Sequence, residues 1–219
     1  MPKQLIKKTS FLKHLGGKEL ARIMAITKLA HFRARQLVFS KEDAGDSFFI
    51  VKSGRIKIFT EANHRQKTLD FLESGDIFGE MALLDGKVRS ASAQALEDSE
   101  LLMITKSAFT RLISDTAFTL RLLNTLSTRL RAADREIESL LFQNMLGRLA
   151  RAAINLSGPE QGHKPVVHIS LHELANYIGT TREPLSRALA SLKRCGIIEY
   201  SDKALKIKNY RRLAAIAPN

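Results

Sequence analysis

The spacing of the apolar residues changes period twice along this chain, and this change limits what the chain can fold into. Residues 10–30 have helical spacing, whereas Phe32–Ile104 form short strand-like runs separated by turn pairs such as Ser53-Gly54. Many short strands at regular intervals predict an antiparallel sandwich or jelly roll. Beyond Lys106 the helical spacing returns. The expected fold class is therefore α+β, with an N-terminal antiparallel β jelly roll followed by helical elements.

The second helical region carries its apolar residues at heptad spacing. Two rows occupy the a and d positions of a coiled coil: Leu123, Leu130 and Ile137, and Leu126, Ala133 and Leu140. Charged residues flank this narrow stripe, which favours pairing of two such helices. The sequence therefore predicts a homodimer through a long dimerisation helix. The alternative is one amphipathic helix packed on its own domain.

A short segment, residues 79–92, combines the groups that a cyclic sugar phosphate requires. Glu80 offers a carboxylate acceptor for a sugar diol, and Arg89 offers a guanidinium fork for a ring phosphate. Ser90 adds a hydroxyl donor beside Arg89. The segment therefore predicts a ligand site, and the alternative is that Arg89 pairs with Glu80 or Asp85 in an empty pocket.

The last third of the chain has the pattern of a helix-turn-helix. Ser170 and Glu173 are placed as a capping box, the small Ala175 allows two helices to approach, and Gly179 permits a positive φ in the turn. Arg182-Glu183-Pro184 then opens a second helix, and residues 197–207 have the pattern of a hairpin. The motif is therefore predicted to be winged. The alternative is that an ordinary helical pair has this spacing by chance.

Composition narrows the class of protein further. The net charge of +13 fits a polyanionic partner such as DNA. The single cysteine, Cys195, excludes an internal disulfide and suits a reducing cytoplasm. The histidines lack metal-ligand spacing and no nucleophile motif is present, so we expect neither a metal site nor an enzyme. No apolar run is long enough for a signal peptide or a membrane span, so no membrane partner is expected.

Both halves, joined by the heptad helix, resemble the catabolite-activator/FNR family of bacterial transcription regulators from about Phe11 to Ile207. The resemblance implies a cyclic-nucleotide-binding jelly roll at residues 1–108. It further implies a dimerisation helix at 109–142 and a winged helix-turn-helix DNA-binding domain at 143–219, with a hinge at 142–147.

The resemblance also assigns ligand-binding residues. Gly79 and Glu80 match the ribose-binding pair, and Arg89 and Ser90 match the phosphate-binding pair. The amides of Met81 and Ala82 would complete the phosphate cradle. On the long helix, Ala133-Asp134 replaces the threonine–serine pair that contacts adenine in cyclic AMP receptors, and Arg129 lies one turn earlier. Asp134 can accept from adenine or guanine, so cyclic AMP or cyclic GMP is the expected allosteric ligand.

The segment 179–187 is similar to the recognition helix of the cyclic-AMP receptor branch, which contacts a TGTGA-type half-site. The resemblance implies that Arg182 contacts a guanine edge, that Glu183 accepts from a cytosine amine, and that Arg187 reaches a second guanine or thymine. Ser170 and Thr181 are expected to contact phosphates.

The expected function is therefore a dimeric, cytoplasmic transcription regulator that binds double-stranded DNA in response to a cyclic nucleotide. Family position makes RNA polymerase a further expected partner, through the loop at 158–165. The alternative is a family member that needs no cyclic mononucleotide, being constitutive or responding to cyclic-di-GMP or to a partner.

Overall fold

The computed structural model of the chain describes residues 23–157, 166–201 and 203–217. The predicted polymerase-contact loop at 158–165 lies outside these residues. Residues 23–26 are helical and are followed directly by the first strand, which begins at Lys28. The predicted helix at 10–30 is therefore wrong at its end, because Leu29 lies in a strand. There Leu29 pairs with Leu102 of a neighbouring strand.

The N-terminal half is a β-sandwich of two antiparallel four-stranded sheets, as the sequence predicted. One sheet has the order β1-β8-β3-β6 and the other β2-β7-β4-β5. The strands are β1 Lys28–Phe32, β2 Leu37–Phe39, β3 Ser47–Ser53, β4 Ile56–Ala62, β5 Arg65–Leu72, β6 Ile77–Phe78, β7 Ser92–Ala95 and β8 Ser99–Thr105.

Strand β3 is buried on both faces, which explains its continuous apolar run. Phe49 and Val51 point into the core between the two sheets. Phe48 and Ile50 point to a second core formed with helices, where Phe48 lies 5.3 Å from Phe109 between ring centroids. Because successive side chains of a strand point to opposite faces, one strand connects both cores.

Helices interrupt and follow the strands along the chain. They are α1 Met81–Asp85, α2 Lys106–Ile113, α3 Thr116–Phe142, α4 Met145–Ser157, α5 Leu171–Ile178, α6 Arg182–Arg194 and α7 Tyr210–Ile216. Helix α3 is the predicted long helix. The predicted hinge at 142–147 is shorter than expected, since α4 begins at Met145 and only residues 143–144 interrupt the helices.

The C-terminal half is a winged helical domain. Strands β10 Ile198–Ser201 and β11 Ala204–Ile207 form the predicted hairpin, and β9 Val166–His168 pairs with β11. The helices pack through leucines that have no exposed surface: Leu149, Leu174, Leu185 and Leu213. This core fixes the geometry of the helix-turn-helix.

The chain divides into two compact units. The first contains residues up to Thr60 together with Leu69–Arg129, and the second contains Glu61–Thr68 together with the chain from Leu130 onward. The three-part division predicted from the sequence stays a prediction. No helix in the described part of the chain is both long and apolar enough to cross a membrane.

Candidate ligand-binding and DNA-binding sites

The cassette at 79–92 is built on a turn that only glycine accepts at its first position. Gly79 follows β6 with φ of +83°, in the left-handed region. A Cβ at this position would lie 2.8 Å from Arg89 Nη1 and 3.2 Å from the Ser47 carbonyl oxygen. The glycine thus lets its own carbonyl approach the Arg89 guanidinium, which places residues 79 and 89 side by side.

Arg89 is buried, and its guanidinium is held by the main chain. Nη1 donates to the Gly79 carbonyl and Nη2 to the Ser47 carbonyl, each at 2.8 Å. The guanidinium carbon lies 4.2 Å from the ring centroid of Phe39. Asp46 Oδ1 lies 4.0 Å from Nη2. Arg89 Nε is buried and has no hydrogen-bond partner among the described residues.

Glu80 is also buried, and it binds the long helix. Arg129 Nη1 donates to Glu80 Oε1 at 2.9 Å, and Arg129 Nη2 donates to the Ile77 carbonyl. The second carboxylate oxygen, Glu80 Oε2, is buried and lacks a hydrogen-bond partner within the described residues. The structure does not show the alternative pairing of Arg89 with Glu80 or Asp85, because the terminal nitrogens of Arg89 donate to main-chain carbonyls instead.

Carboxylates surround both arginines. Burial lowers the pKa of the Arg89 guanidinium, and the nearby carboxylates of Asp46 and Glu80 oppose this change by favouring the charged form. Burial likewise raises the pKa of Asp76, and the attraction of Arg129 partly offsets that rise. The two arginines are thus the local groups that can compensate the charge of an anionic ligand.

The remaining predicted cassette residues lie at or next to helix α1. Met81 and Ala82 form its first turn, and the amides of Leu83 and Leu84 donate to the Glu80 carbonyl. Ser90 is exposed, and its Oγ lies 3.5 Å from Met81 Sδ. The structure therefore brings the predicted ribose-binding and phosphate-binding residues into one local group.

The predicted base contact lies farther along α3. Asp134 is exposed, about a turn and a half beyond Arg129. The heptad row of α3 is exposed as well: Leu123, Leu130 and Ile137 have 53%, 64% and 56% of their surfaces accessible. The role of Asp134 stays a prediction.

Sequence reasoning missed the groups that hold Arg89. The Ser47 carbonyl and the Phe39 ring come from β3 and β2, far from the cassette in sequence. Asp46, which directly precedes β3 and approaches Arg89, is equally distant from the cassette in sequence. A main-chain carbonyl carries no residue-type signal, so only the strand pairing of the folded sheet could have identified it.

The first helix of the helix-turn-helix begins and ends as predicted. Glu173 N donates to Ser170 Oγ at 3.2 Å, and Ser170 N donates to Glu173 Oε2 at 3.0 Å, which completes a capping box. Gly179 ends α5 with φ of +76°. Because the Ser170 hydroxyl also donates to Glu173 Oε2 at 2.7 Å, its predicted phosphate contact would compete with this bond.

Two cations hold the C-terminal carbonyls of α5, where a helix presents its negative end. Arg148 Nη2 of α4 donates to the Ile178 carbonyl at 2.6 Å. Lys67, which clusters with the second unit, donates to the Tyr177 carbonyl and lies 2.7 Å from Glu136. These two side chains therefore hold the C-terminal end of α5, where the turn into α6 begins.

Helix α6 presents a polar face opposite a buried one. Leu185, Leu189 and Leu192 are buried, whereas Arg182, Glu183 and Arg187 are exposed. Arg187 Nη1 lies 3.5 Å from Glu183 Oε1, an exposed pair one helical turn apart. Thr181 is the N-cap and makes no side-chain cap hydrogen bond. The predicted base-contacting residues thus share one accessible end of the helix.

Candidate metal ligands were sought among the residues that the structure describes. There, no three side chains of histidine, cysteine, aspartate or glutamate form a group that could hold a metal ion.

Comparison with known proteins matches each half of the chain. A model of the cyclic nucleotide-binding domain matches residues 29–116, and a model of the Crp-like helix-turn-helix domain matches residues 147–216. The cyclic AMP receptor protein of Thermus thermophilus is 36% identical over 182 residues, covering 82% of this chain and 83% of that protein.

Solved structures have the same architecture. The Thermus thermophilus catabolite activator protein is 32% identical with a TM-score of 0.56, covering 95% of this chain and 98% of that chain. The c-di-GMP-responsive global regulator CLP of Xanthomonas campestris has a TM-score of 0.75 at 24% identity, covering 86% of this chain and 97% of that chain. The latter likeness concerns the fold alone.

Proposed function

Because this chain belongs to the catabolite-activator/FNR family of DNA-binding transcription regulators, we propose that a cyclic nucleotide controls its binding to a palindromic TGTGA-like site. The ligand is cyclic AMP or cyclic GMP, and the cassette at 79–92 is its site. The cyclic AMP receptor protein of Thermus thermophilus supports cyclic AMP as the first candidate.

Two buried polar atoms without partners carry the proposal. Glu80 Oε2 is an acceptor and Arg89 Nε is a donor, and each is buried within the described residues without a hydrogen bond. Such atoms are costly unless something pairs with them. A ribose hydroxyl would donate to Glu80, and a ring phosphate oxygen would accept from Arg89. A cyclic nucleotide carries both groups on one sugar.

Residues around this pair complete the site in the proposal. Gly79 leaves room for the main chain to approach the ligand, and the first amides of α1, at Met81 and Ala82, supply donors for the phosphate. Ser90 adds a hydroxyl. Arg129 of α3, which is bound to Glu80, adds a second positive charge beside the site.

The base is recognised by Asp134 in this proposal. Its carboxylate accepts from the N6 amine of adenine, and equally from N1–H and N2–H of guanine. This ambiguity is why both cyclic AMP and cyclic GMP are retained as ligands.

The exposed heptad row on α3 supports a homodimer. Leu130 and Ile137 are more than half exposed, an unusual state for a regular apolar row of a helix. Burying this row against a second copy would place two winged domains side by side. Their recognition helices would then enter successive major grooves, about 34 Å apart.

Base contacts of α6 provide sequence specificity in this account. Arg182 donates to a guanine edge, Glu183 accepts from a cytosine amine, and Arg187 reaches a second guanine or thymine. Ser170 and Thr181 contact phosphates. The regulator works in the cytoplasm with its DNA, and the loop at 158–165 is its proposed contact with RNA polymerase.

A second candidate is a regulator that needs no cyclic mononucleotide. One observation favours it: both terminal nitrogens of Arg89 are bonded to main-chain carbonyls, and Glu80 is bonded to Arg129. The cassette is thus largely satisfied by its own residues. Such a regulator would be constitutive, or would respond to cyclic-di-GMP or to a partner.

Calorimetric titration of the nucleotide-free protein with cyclic AMP, cyclic GMP and cyclic-di-GMP tests the proposal. The wild type binds one of the two mononucleotides, and Glu80→Gln weakens that binding by about 10- to 100-fold, since a hydrogen bond to a buried charge is lost. Asp85→Asn removes an exposed carboxylate from the same segment and leaves the affinity within about twofold. Equal affinities of wild type and Glu80→Gln would refute the site, and no binding would favour the second candidate.

A further inference from the structure

The heptad register of α3 places two opposite charges beside the exposed apolar row. With Leu123, Leu130 and Ile137 at position a, Arg129 falls at position g and Asp134 at position e of the next heptad. Asp134 is exposed, whereas Arg129 lies at the border between the exposed row and the face of α3 that packs on its own domain. Arg129 at position g therefore lies next to the exposed heptad row and also contacts the cassette.

In a parallel two-stranded coiled coil, a residue at g faces the e residue of the following heptad on the partner helix. Arg129 of one chain would therefore face a carboxylate, Asp134 of the partner subunit. The charges are complementary and, by two-fold symmetry, the pair occurs twice per dimer. A parallel pair also puts both winged domains at the same end, as one DNA duplex requires.

Arg129 already has a partner within its own chain. Its two terminal nitrogens donate to Glu80 Oε1 and to the Ile77 carbonyl, and these bonds draw the side chain toward the cassette. In such a dimer, two carboxylates would lie within reach of one guanidinium. One belongs to the cassette and the other to the partner helix.

We propose that Glu80 and Asp134 of the partner subunit compete for Arg129, so that the cassette and the dimer interface are linked through this one side chain. When Glu80 is engaged elsewhere, Arg129 turns to the partner's Asp134 and the dimer tightens. The partner thus contributes a residue to the edge of the cassette. A carboxylate has two oxygens, so the partner's Asp134 can accept from Arg129 with one and from a base with the other.

The ligand-dependent part of this inference rests on the proposed function, but the competition itself does not. A sugar hydroxyl that donates to Glu80 would weaken its hold on Arg129. Ligand occupancy would then strengthen the helix pair by exchange of one ion pair for another. A ligand shifts an equilibrium only if it binds one of the two states more tightly. This exchange of ion pairs would give the ligand a higher affinity for the tighter dimer.

A double-mutant cycle without any nucleotide tests the competition. The dimer dissociation constant is measured by analytical ultracentrifugation for the wild type, Glu80→Gln, Asp134→Asn and the double variant. Glu80→Gln weakens the intrachain pair and lowers the dissociation constant by about three- to tenfold, from two exposed pairs of modest strength. In the Asp134→Asn background the same substitution has no effect.

Glu138→Gln is the matched control, because it removes an exposed carboxylate at position b of the same helix. In this background Glu80→Gln keeps its full effect. If Glu80→Gln shifts the dissociation constant equally with and without the Asp134→Asn substitution, including no shift in either case, the proposal is overturned. Because no nucleotide is present, that result would not argue against nucleotide binding. Conversely, a calorimetric titration that detects no nucleotide binding would not argue against the competition for Arg129.

The parallel register has its own test. In a Cys195→Ser background, Ala133→Cys places one thiol at position d, where parallel helices in register bring the two copies together. Mild oxidation then yields a covalent dimer, whereas Glu138→Cys in the same background stays monomeric on a denaturing gel. Failure of Ala133→Cys to cross-link would overturn the facing of Arg129 and the partner's Asp134.

Discussion

Arg89→Ala should destabilise the N-terminal unit even when no ligand is present. The side chain is buried and donates two hydrogen bonds of 2.8 Å to the carbonyls of Gly79 and Ser47. Each hydrogen bond from a charged group contributes about 1.5–3 kcal/mol, and truncation leaves both carbonyls without this donor. Truncation also removes the desolvation cost of burying the charged guanidinium, and this gain offsets part of the loss. We expect a net loss of about 3 kcal/mol in the free energy of unfolding.

Chemical denaturation of the nucleotide-free protein, followed by circular dichroism, measures this loss. Lys87→Ala is the control, because this exposed side chain lies two residues away in the same segment. Its free energy of unfolding should change by no more than about 0.5 kcal/mol. If the free energy of unfolding of Arg89→Ala lies within about 0.5 kcal/mol of the wild-type value, the guanidinium does not stabilise the cassette as described. The expected loss also explains why Glu80→Gln is the better probe of ligand binding.

Three further predictions concern separate parts of the chain. Glu173→Ala removes half of the capping box and should cost about 1 kcal/mol of stability in the C-terminal unit; an unchanged denaturation midpoint would contradict this. Arg182→Ala should cost about 1–3 kcal/mol in binding a TGTGA-type duplex and little on random DNA, as measured by fluorescence anisotropy; equal losses on both would remove its base contact. Burial raises the pKa of Asp76 above the ordinary 3.8, so its carboxylate opposes folding at neutral pH. This cost shrinks as the pH falls below the folded-state pKa and is gone below the ordinary value of 3.8. Asp76→Asn should therefore raise the free energy of unfolding at neutral pH and flatten its dependence on pH in the acidic range. A loss of stability at neutral pH would show that the Asp76 carboxylate stabilises the fold, contrary to this prediction.

Local patterns in the sequence predicted the winged half well. The capping box of Ser170 and the positive φ of Gly179 depend on residues within one turn of each other, so residue type alone indicates them. The long helix and its exposed row were equally visible, because heptad spacing repeats along one element. These features are confirmed by the structure.

Long-range features were harder to predict. Strand β7, Ser92–Ala95, has small and polar residues and was not identified, although its alanines are fully buried between the sheets. Its assignment depends on pairing with β2 and β4, which no local pattern shows. The end of the first helix was misplaced for the same reason, since Leu29 joins β1 by pairing with β8.

The cassette shows both cases at once. Its glutamate and arginine were predicted from residue type, and its glycine from the resemblance to the family. The bonds of Arg89 to two carbonyls, and of Glu80 to Arg129, come from elements brought together by the fold. Those bonds use Arg89 Nη1 and Nη2 and Glu80 Oε1, and they leave Arg89 Nε and Glu80 Oε2 as the buried polar atoms to which a ligand would bind.

The most direct test of the central claim is a fluorescence-anisotropy titration of a TGTGA–N6–TCACA duplex with the nucleotide-free protein, repeated at saturating cyclic AMP and cyclic GMP. We expect at least about tenfold tighter binding with one of these nucleotides, a gain that Glu80→Gln shifts to higher nucleotide concentrations while binding to random DNA stays the same. Equal affinity for the duplex with and without both nucleotides would contradict the account and favour the ligand-free regulator.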